Sequence, residues 1–168
     1  MLDNIYILRD IINIAGGHIV GRKKLQKIIY IIQQLCNPFN NPYEYRWNYY
    51  GVFSEELASE IHTGKVFGIF GENYIDEYGY RTYVIEVIDS SNLSDIEKNK
   101  QLKSIVEFLV SKEPRVLEVI SSIMYFQSRG LDKLEIEKKL NELKGHLSSF
   151  FECAFTAQEE LQILMGEV

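Results

Sequence analysis

Apolar positions fall at helical spacing from the start of the chain. Between Asp3 and Ala15, Ile5, Leu8, Ile12 and Ala15 recur every three or four positions, and Ile7, Ile11 and Ile14 widen that face. The pattern predicts an amphipathic helix stopped by Gly16-Gly17. A second helix is predicted from Arg22 to Cys36, with Leu25, Ile28, Ile29, Ile32 and Leu35 as its buried stripe and Asn37-Pro38 as its break. The period then changes. Tyr43, Tyr45, Trp47 and Tyr49 occupy every second position, which predicts a strand over Tyr43–Tyr50 with one buried aromatic face, broken by Gly51. Arg46 and Asn48 are its outward members. Ser54 can cap a third helix, with Glu55 and Glu56 near its positive end, running through Leu57 and Ile61 to Thr63 before Gly64 stops it. Two β-rich stretches, Val66–Ile75 and Tyr80–Ile88, joined by Asp76-Glu77-Tyr78-Gly79, predict a hairpin.

The remainder is helical in pattern. Helices are predicted over Leu93–Val110, from Pro114 through Ile123, over Leu131–Leu143 and over His146–Met165. Three helices followed by a hairpin is the element order of a winged helix, here with an extra strand between the second and third helices. The expected fold is therefore α+β and mostly helical. A winged-helix-like half (residues 1–90), with an inserted aromatic strand and a hairpin, packs on a helical bundle (residues 91–168). No flexible linker or repeat divides the two, so a single domain over 1–168 is expected.

Composition narrows the class. Hydrophobic content of 46% and aromatic content of 12% in 168 residues suit a folded core and not a disordered chain. No apolar run approaches the roughly 20 residues of a membrane span, and the start lacks the pattern of a signal peptide. A cytoplasmic protein without a membrane partner is expected. Cys36 and Cys153 read as reduced core thiols. His18, His62 and His146 have no metal-ligand spacing, so no metal or other cofactor is expected.

The net charge of −6 is unevenly spread. Residues 1–50 carry six Lys or Arg against three Asp or Glu, residues 51–100 four against ten, and residues 101–168 eight against eleven. The basic excess centres on Arg22, Lys23, Lys24 and Lys27. These four cations could meet phosphates, or simply solvate the face opposite the Leu25 stripe. Against DNA stands the third helix, which opens with Glu55 and Glu56 and continues to Glu60, where a recognition helix would face phosphates. The hairpin tip carries Asp76 and Glu77 against Arg81 and makes a poor wing. The same carboxylates, with Arg46 on the neighbouring strand, suit a basic protein partner. The aromatic run could stack bases, but such residues more often pack across strands into a core. Phe150, Phe151, Phe155, Leu161 and Leu164 give the last helix apolar surface for covering the fold, with a homodimer as the alternative. No nucleophile elbow, phosphate loop or dinucleotide fingerprint is present, so no catalytic residue is assigned and an enzyme is not expected.

Two segments carry a family resemblance. They are Gly21-Arg22-Lys23-Lys24-Leu25-Gln26-Lys27-Ile28-Ile29-Tyr30-Ile31-Ile32 and Tyr49-Tyr50-Gly51-Val52-Phe53-Ser54-Glu55-Glu56-Leu57. Together they resemble the signature of the YwgA-like proteins, which in turn resemble the Panacea-domain proteins, the SocA-type antitoxins. In that group a Leu-Gln-Lys helix precedes an aromatic strand and a Tyr-Gly-Pro-Tyr/Phe-Ser turn. Here Val52 replaces the proline. The match covers roughly residues 5–70. The resemblance implies a helical domain with winged-helix features, acting as a regulator or as an antitoxin that neutralises a protein. The expected function is thus a non-enzymatic binding module whose partner is another protein, a toxin or regulatory target, met through Glu55, Glu56, Glu60 and Arg46. The alternative is a DNA-binding transcriptional regulator using Arg22, Lys23, Lys24 and Lys27.

Overall fold

The structure, a computed structural model, describes residues 2–91 and 99–166. It is α+β and helix-dominated. In chain order the elements are α1 (Asp3–Ile14), β1 (His18–Val20), α2 (Arg22–Leu35), β2 (Arg46–Asn48), β3 (Gly51–Phe53), α3 (Glu55–Val66), β4 (Phe70–Glu77), β5 (Tyr80–Val87), α4 (Lys100–Val110), α5 (Pro114–Ser128), α6 (Lys133–Lys144), a 3-10 segment (Gly145–Phe150) and α7 (Phe151–Leu164).

The first two helices form as their spacing predicts. The stripe Leu25, Ile28, Ile29 and Ile32 is buried, and so are Ile5, Leu8, Ile11 and Ile12 of α1. One hydrophobic cluster continues from these through Leu102, Val106 and Leu109 of α4, Leu117, Ile120 and Ile123 of α5, and Leu161 of α7. The helical second half therefore closes the same core that the first half opens. A buried ion pair, Arg9 Nε to Asp10 Oδ1 at 3.1 Å, lies on α1, and Arg9 Nη1 donates to the Ser91 carbonyl at 2.6 Å. This ties the chain after β5 back to the first helix.

Three antiparallel strands form one sheet in the order β1-β5-β4, and β2 and β3 form a separate hairpin. β1 was not expected. Three residues are too few to display a period, and this strand exists because β5 offers it an edge, with Ile19 opposite Ile85. The predicted strand over Tyr43–Tyr50 shortens to Arg46–Asn48. Tyr43 is buried and Tyr45 and Trp47 are half-buried, so the alternation holds that far, but Tyr49 is 84% exposed in the turn. Gly51 does not end the strand region. Its φ of +89° lets the chain reverse into β3, with Trp47 opposite Val52.

Two helix boundaries also move. Gly64 does not stop α3, which continues to Val66; a Cβ at Gly64 would lie 2.3 Å from the Phe70 ring, so the glycine is there for close packing. The hairpin therefore starts at Phe70 and not at Val66. The helix expected over Leu93–Val110 is seen from Lys100, its earlier part lying outside the described residues. α6 begins two residues later than expected because Asp132 and Glu135 make a reciprocal capping box. The single helix expected over His146–Met165 divides into the 3-10 segment and α7.

Candidate functional site

The two motif-bearing segments meet in space, and their contacts explain their spacing. Leu25 lies in the core. Gln26 makes a paired bond to the backbone of Ser54: its Nε2 donates to the Ser54 carbonyl at 2.9 Å, and the Ser54 N–H donates to its Oε1 at 3.0 Å. Ser54 Oγ then accepts from the Leu57 N–H at 3.2 Å and caps α3. Lys27 Nζ donates to the Val52 carbonyl at 2.6 Å. The Leu-Gln-Lys triplet on α2 thus grips the Tyr-Gly-Val-Phe-Ser turn and fixes where α3 starts. Val52, standing where the resembled group has proline, is fully buried, so side-chain packing holds the turn as well.

This brace alters the reading of the basic cluster. Arg22 makes two hydrogen bonds to the Glu72 carboxylate, at 2.6 and 2.8 Å, and its guanidinium lies 3.8 Å from the Tyr83 ring centre. Lys65 Nζ reaches the same carboxylate at 3.0 Å, and the Arg22 bond foremost holds Glu72 far below the usual carboxylate range, at about 2. Lys23 is exposed and rests over the Tyr50 ring at 3.2 Å. Lys24 is half-buried, donates to the Val110 carbonyl at 2.7 Å, and is lowered by burial. Lys27 is only 4% exposed, and burial pushes its ammonium down to about 8. The expectation of four cations on one solvated face is corrected: only Arg22 and Lys23 reach the surface, because α2 packs against α4, α5 and β3 along most of its girth.

The acidic set divides too. Glu55 and Glu56 are exposed at the start of α3, and with Arg46, Glu44 and Asn48 they line a shallow groove of about 280 Å³. Glu60 stands apart. It is half-buried and accepts a hydrogen bond from the Tyr43 hydroxyl, and burial raises its carboxyl above the ordinary range. Expecting it to be a free surface acid was wrong, since Tyr43 folds under α3. The structure therefore brings Arg46, Glu55 and Glu56 to one groove, while Glu60, near enough to feel the Glu56 charge, is engaged by Tyr43 and does not line it.

Adjoining that groove at Trp47 and Asn48, which line both, is a cleft of about 1110 Å³ that the sequence reading did not single out. Its walls come from α2, the β2–β3 turn, the start of α5 and the end of α6, so its residues lie far apart in the chain. The signal available in the sequence was the lone charge of Lys144 on an otherwise apolar position; it is 3% exposed and donates to Glu118 Oε1 at 2.9 Å. A third cleft, of about 450 Å³, separates α2 from α3 and is lined by Leu25, Phe53, Leu57, Ile61 and His62. Of the thiols, Cys36 is half-buried but Cys153 is exposed on α7, contrary to a core position. Phe150, Phe151, Phe155 and Leu164 pack against the core, and Leu161 is inside it. Among the described residues no His, Cys, Asp and Glu are grouped as a metal site, and no helix is long and apolar enough to cross a membrane.

An α+β, helix-dominated chain, with a short hairpin locked between two helices by a Leu-Gln-Lys brace, is the class that fold and site define. The chain belongs to the family of YwgA. It is 32% identical over 134 residues to the Bacillus subtilis (strain 168) protein named uncharacterized protein YwgA, covering 77% of this chain and 78% of that one. No family model matches the chain. No solved structure matches it either.

Proposed function

We propose that this chain is a non-enzymatic, antitoxin-like regulatory module that binds another protein through the acidic start of α3 and the adjoining β2 strand. The frame is read as a winged helix. Supporting that reading are the order helix, strand, helix, helix, hairpin, once the β2–β3 hairpin inserted between the second and third helices is set aside, and the sheet order β1-β5-β4, in which the first strand pairs with the last. The relationship to the Panacea-domain antitoxins belongs to the same proposal.

One observation carries the choice of partner: in the place where a winged helix would offer its recognition helix, α3 presents Glu55 and Glu56 to solvent beside Arg46. Phosphates would be repelled there, whereas a basic protein surface would be attracted. The cations that might reverse this balance are largely engaged by the fold: Lys24 and Lys27 bond backbone carbonyls, and Arg22 is spent on Glu72. Reading DNA through α2 thus has one uncommitted surface ammonium, Lys23, which argues against the transcriptional-regulator alternative.

The test is affinity purification of the tagged full chain from its own host, with and without nuclease, alongside a Glu55→Lys/Glu56→Lys variant. A nuclease-resistant protein partner released by that variant, with circular dichroism and Tm unchanged, is the expected result. Retention of the partner by the folded variant refutes the placement of the interface. Recovery of DNA that is lost in a Lys23→Glu variant refutes the protein-binding reading itself.

A further inference from the structure

The cleft beside the β2–β3 turn concentrates positive charge in a chain whose net charge is −6. Lys23, Lys27, Arg115 and Lys144 line it against a single carboxylate, Glu118, and His146 stands at its edge. Glu118 is already committed to Lys144 by the 2.9 Å ion pair, and Lys144 also reaches the Tyr49 carbonyl at 3.4 Å. Lys27 is left with a hydrogen bond to the Val52 carbonyl and no carboxylate within ion-pair distance among the described residues. Glu118 is thus the one carboxylate lining the cleft, shared between the ion pair with Lys144 and a longer-range attraction to Lys27, so the positive charges there outnumber it. Burial foremost lowers the affinity of Lys27 for its proton, Glu118 opposes this, and Lys144 and Lys23 lower it further, so the charges around the cleft feel one another.

The cleft also has an aromatic side. Trp47 forms part of the wall, seated 5.0 Å from Phe126 and 5.3 Å from Tyr125, while Tyr49 stands almost bare at the rim. An exposed tyrosine ring beside a cluster of cations offers a stacking face next to phosphate donors. The start of α5, a helix of 15 residues, opens onto the same space at Pro114 and Arg115 and adds its positive end.

We propose that this cleft binds a free nucleotide, with its phosphates on the exposed Lys23 and Arg115 and its base against Tyr49. The site does not depend on the protein-binding reading, because none of Lys23, Tyr49 and Arg115 lines the Arg46, Glu55 and Glu56 groove. A lone sulfate-sized anion would satisfy the cations but leave the aromatic rim without a role. A base supplies that role, and the cleft has room for both.

Trp47, the only tryptophan in the chain, reports on the site. The full-length protein is titrated with ATP, inorganic phosphate and a thymidine oligonucleotide, following Trp47 emission. ATP is expected to saturate the signal below about 1 mM, and phosphate to need at least about tenfold more. Lys23→Ala/Arg115→Ala, both at exposed positions, should weaken ATP about tenfold or more while the far-ultraviolet dichroism stays unchanged. Tyr49→Ala should narrow the gap between ATP and phosphate. Absence of saturation by ATP overturns the site. Equal binding of phosphate and ATP, unaffected by Tyr49→Ala, overturns the nucleotide. An oligonucleotide that binds more tightly than ATP and is weakened by the same variants overturns the free ligand in favour of a strand.

Discussion

The molecule contains two antiparallel hairpins rich in aromatic residues, and they have opposite surroundings. In the β2–β3 hairpin, Val52 is fully buried, Trp47 is seated on Tyr125 and Phe126 of α5, and the β3 side of the turn is held by Lys27 and Gln26 of α2. In the β4–β5 hairpin only the root is covered. Phe70 packs against Gly64 and Ile85 lies in the core, but Tyr74, Ile75, Tyr78 and Tyr80 are exposed. Beyond the root, Arg81 pairs with Asp76 and lies over the Tyr74 ring, all of it in solvent. Aromatic and β-branched side chains favour an extended backbone in both places. What packs on the backbone decides whether the rings contribute to the core or to a surface.

The largest effect expected from this contrast comes from removing the ring that seals the covered hairpin. Trp47→Ala deletes a half-buried indole packed on two α5 rings, with the Lys144 ammonium 5.5 Å from its ring centre, and should cost about 3 kcal/mol. Urea unfolding of the variant against the parent checks it. A loss below about 1 kcal/mol would mean that the β2–β3 hairpin is as loosely held as the other.

Some of this was readable from the residues and some was not. The helices of the core were, because α1, α2 and α5 repeat their apolar positions often enough to define a face. The Ser54 cap was also readable, since capping is local chemistry. The candidate groove was half readable: Arg46, Glu55 and Glu56 do converge, but only tertiary packing could show that Tyr43 removes Glu60 from it. The Lys24 and Lys27 positions were misread for a related reason. A long aliphatic stem lets a lysine enter a packed face if a carbonyl receives its ammonium, and the carbonyls of Val110 and Val52 lie 86 and 25 residues away in sequence. The cleft with Lys144 and Arg115 depends on four separate elements, and the charge of Lys144 at an apolar position is the trace it leaves in the sequence.

The second expected effect concerns what holds the open hairpin to the body. Glu72 on β4 receives Arg22 from α2 and Lys65 from α3, and it is held near about 2, far below an ordinary carboxylate. A carboxyl depressed in the folded state contributes stability that is fully present above its unfolded value near 4.5 and is lost as pH falls toward 2. Glu72→Gln removes that contribution. Its unfolding midpoint should lie below the parent's at pH 7, and the difference should shrink steadily as pH falls from about 5 toward 2. Denaturation series across that range check the convergence; parallel curves would show that the clamp does not titrate with the fold.

The smallest effect is the most telling about the exposed tip. Tyr78 and Gly79 form the two-residue turn, with φ of +50° and +80°, and Tyr78 is 97% exposed. Positive φ at both positions is the pattern of a type I′ turn, which favours Asn-Gly. A bulky side chain in the left-handed region costs of order 1 kcal/mol, and here it gains almost no burial in return. Tyr78→Asn should therefore stabilise the chain by up to about 1 kcal/mol, read as a rise in Tm with unchanged dichroism. A gain would mean that the tyrosine is kept at a cost to folding, as a residue serving a surface role would be. A loss would mean instead that the ring finds its own packing on the tip, and the contrast between the two hairpins would narrow to a difference of degree.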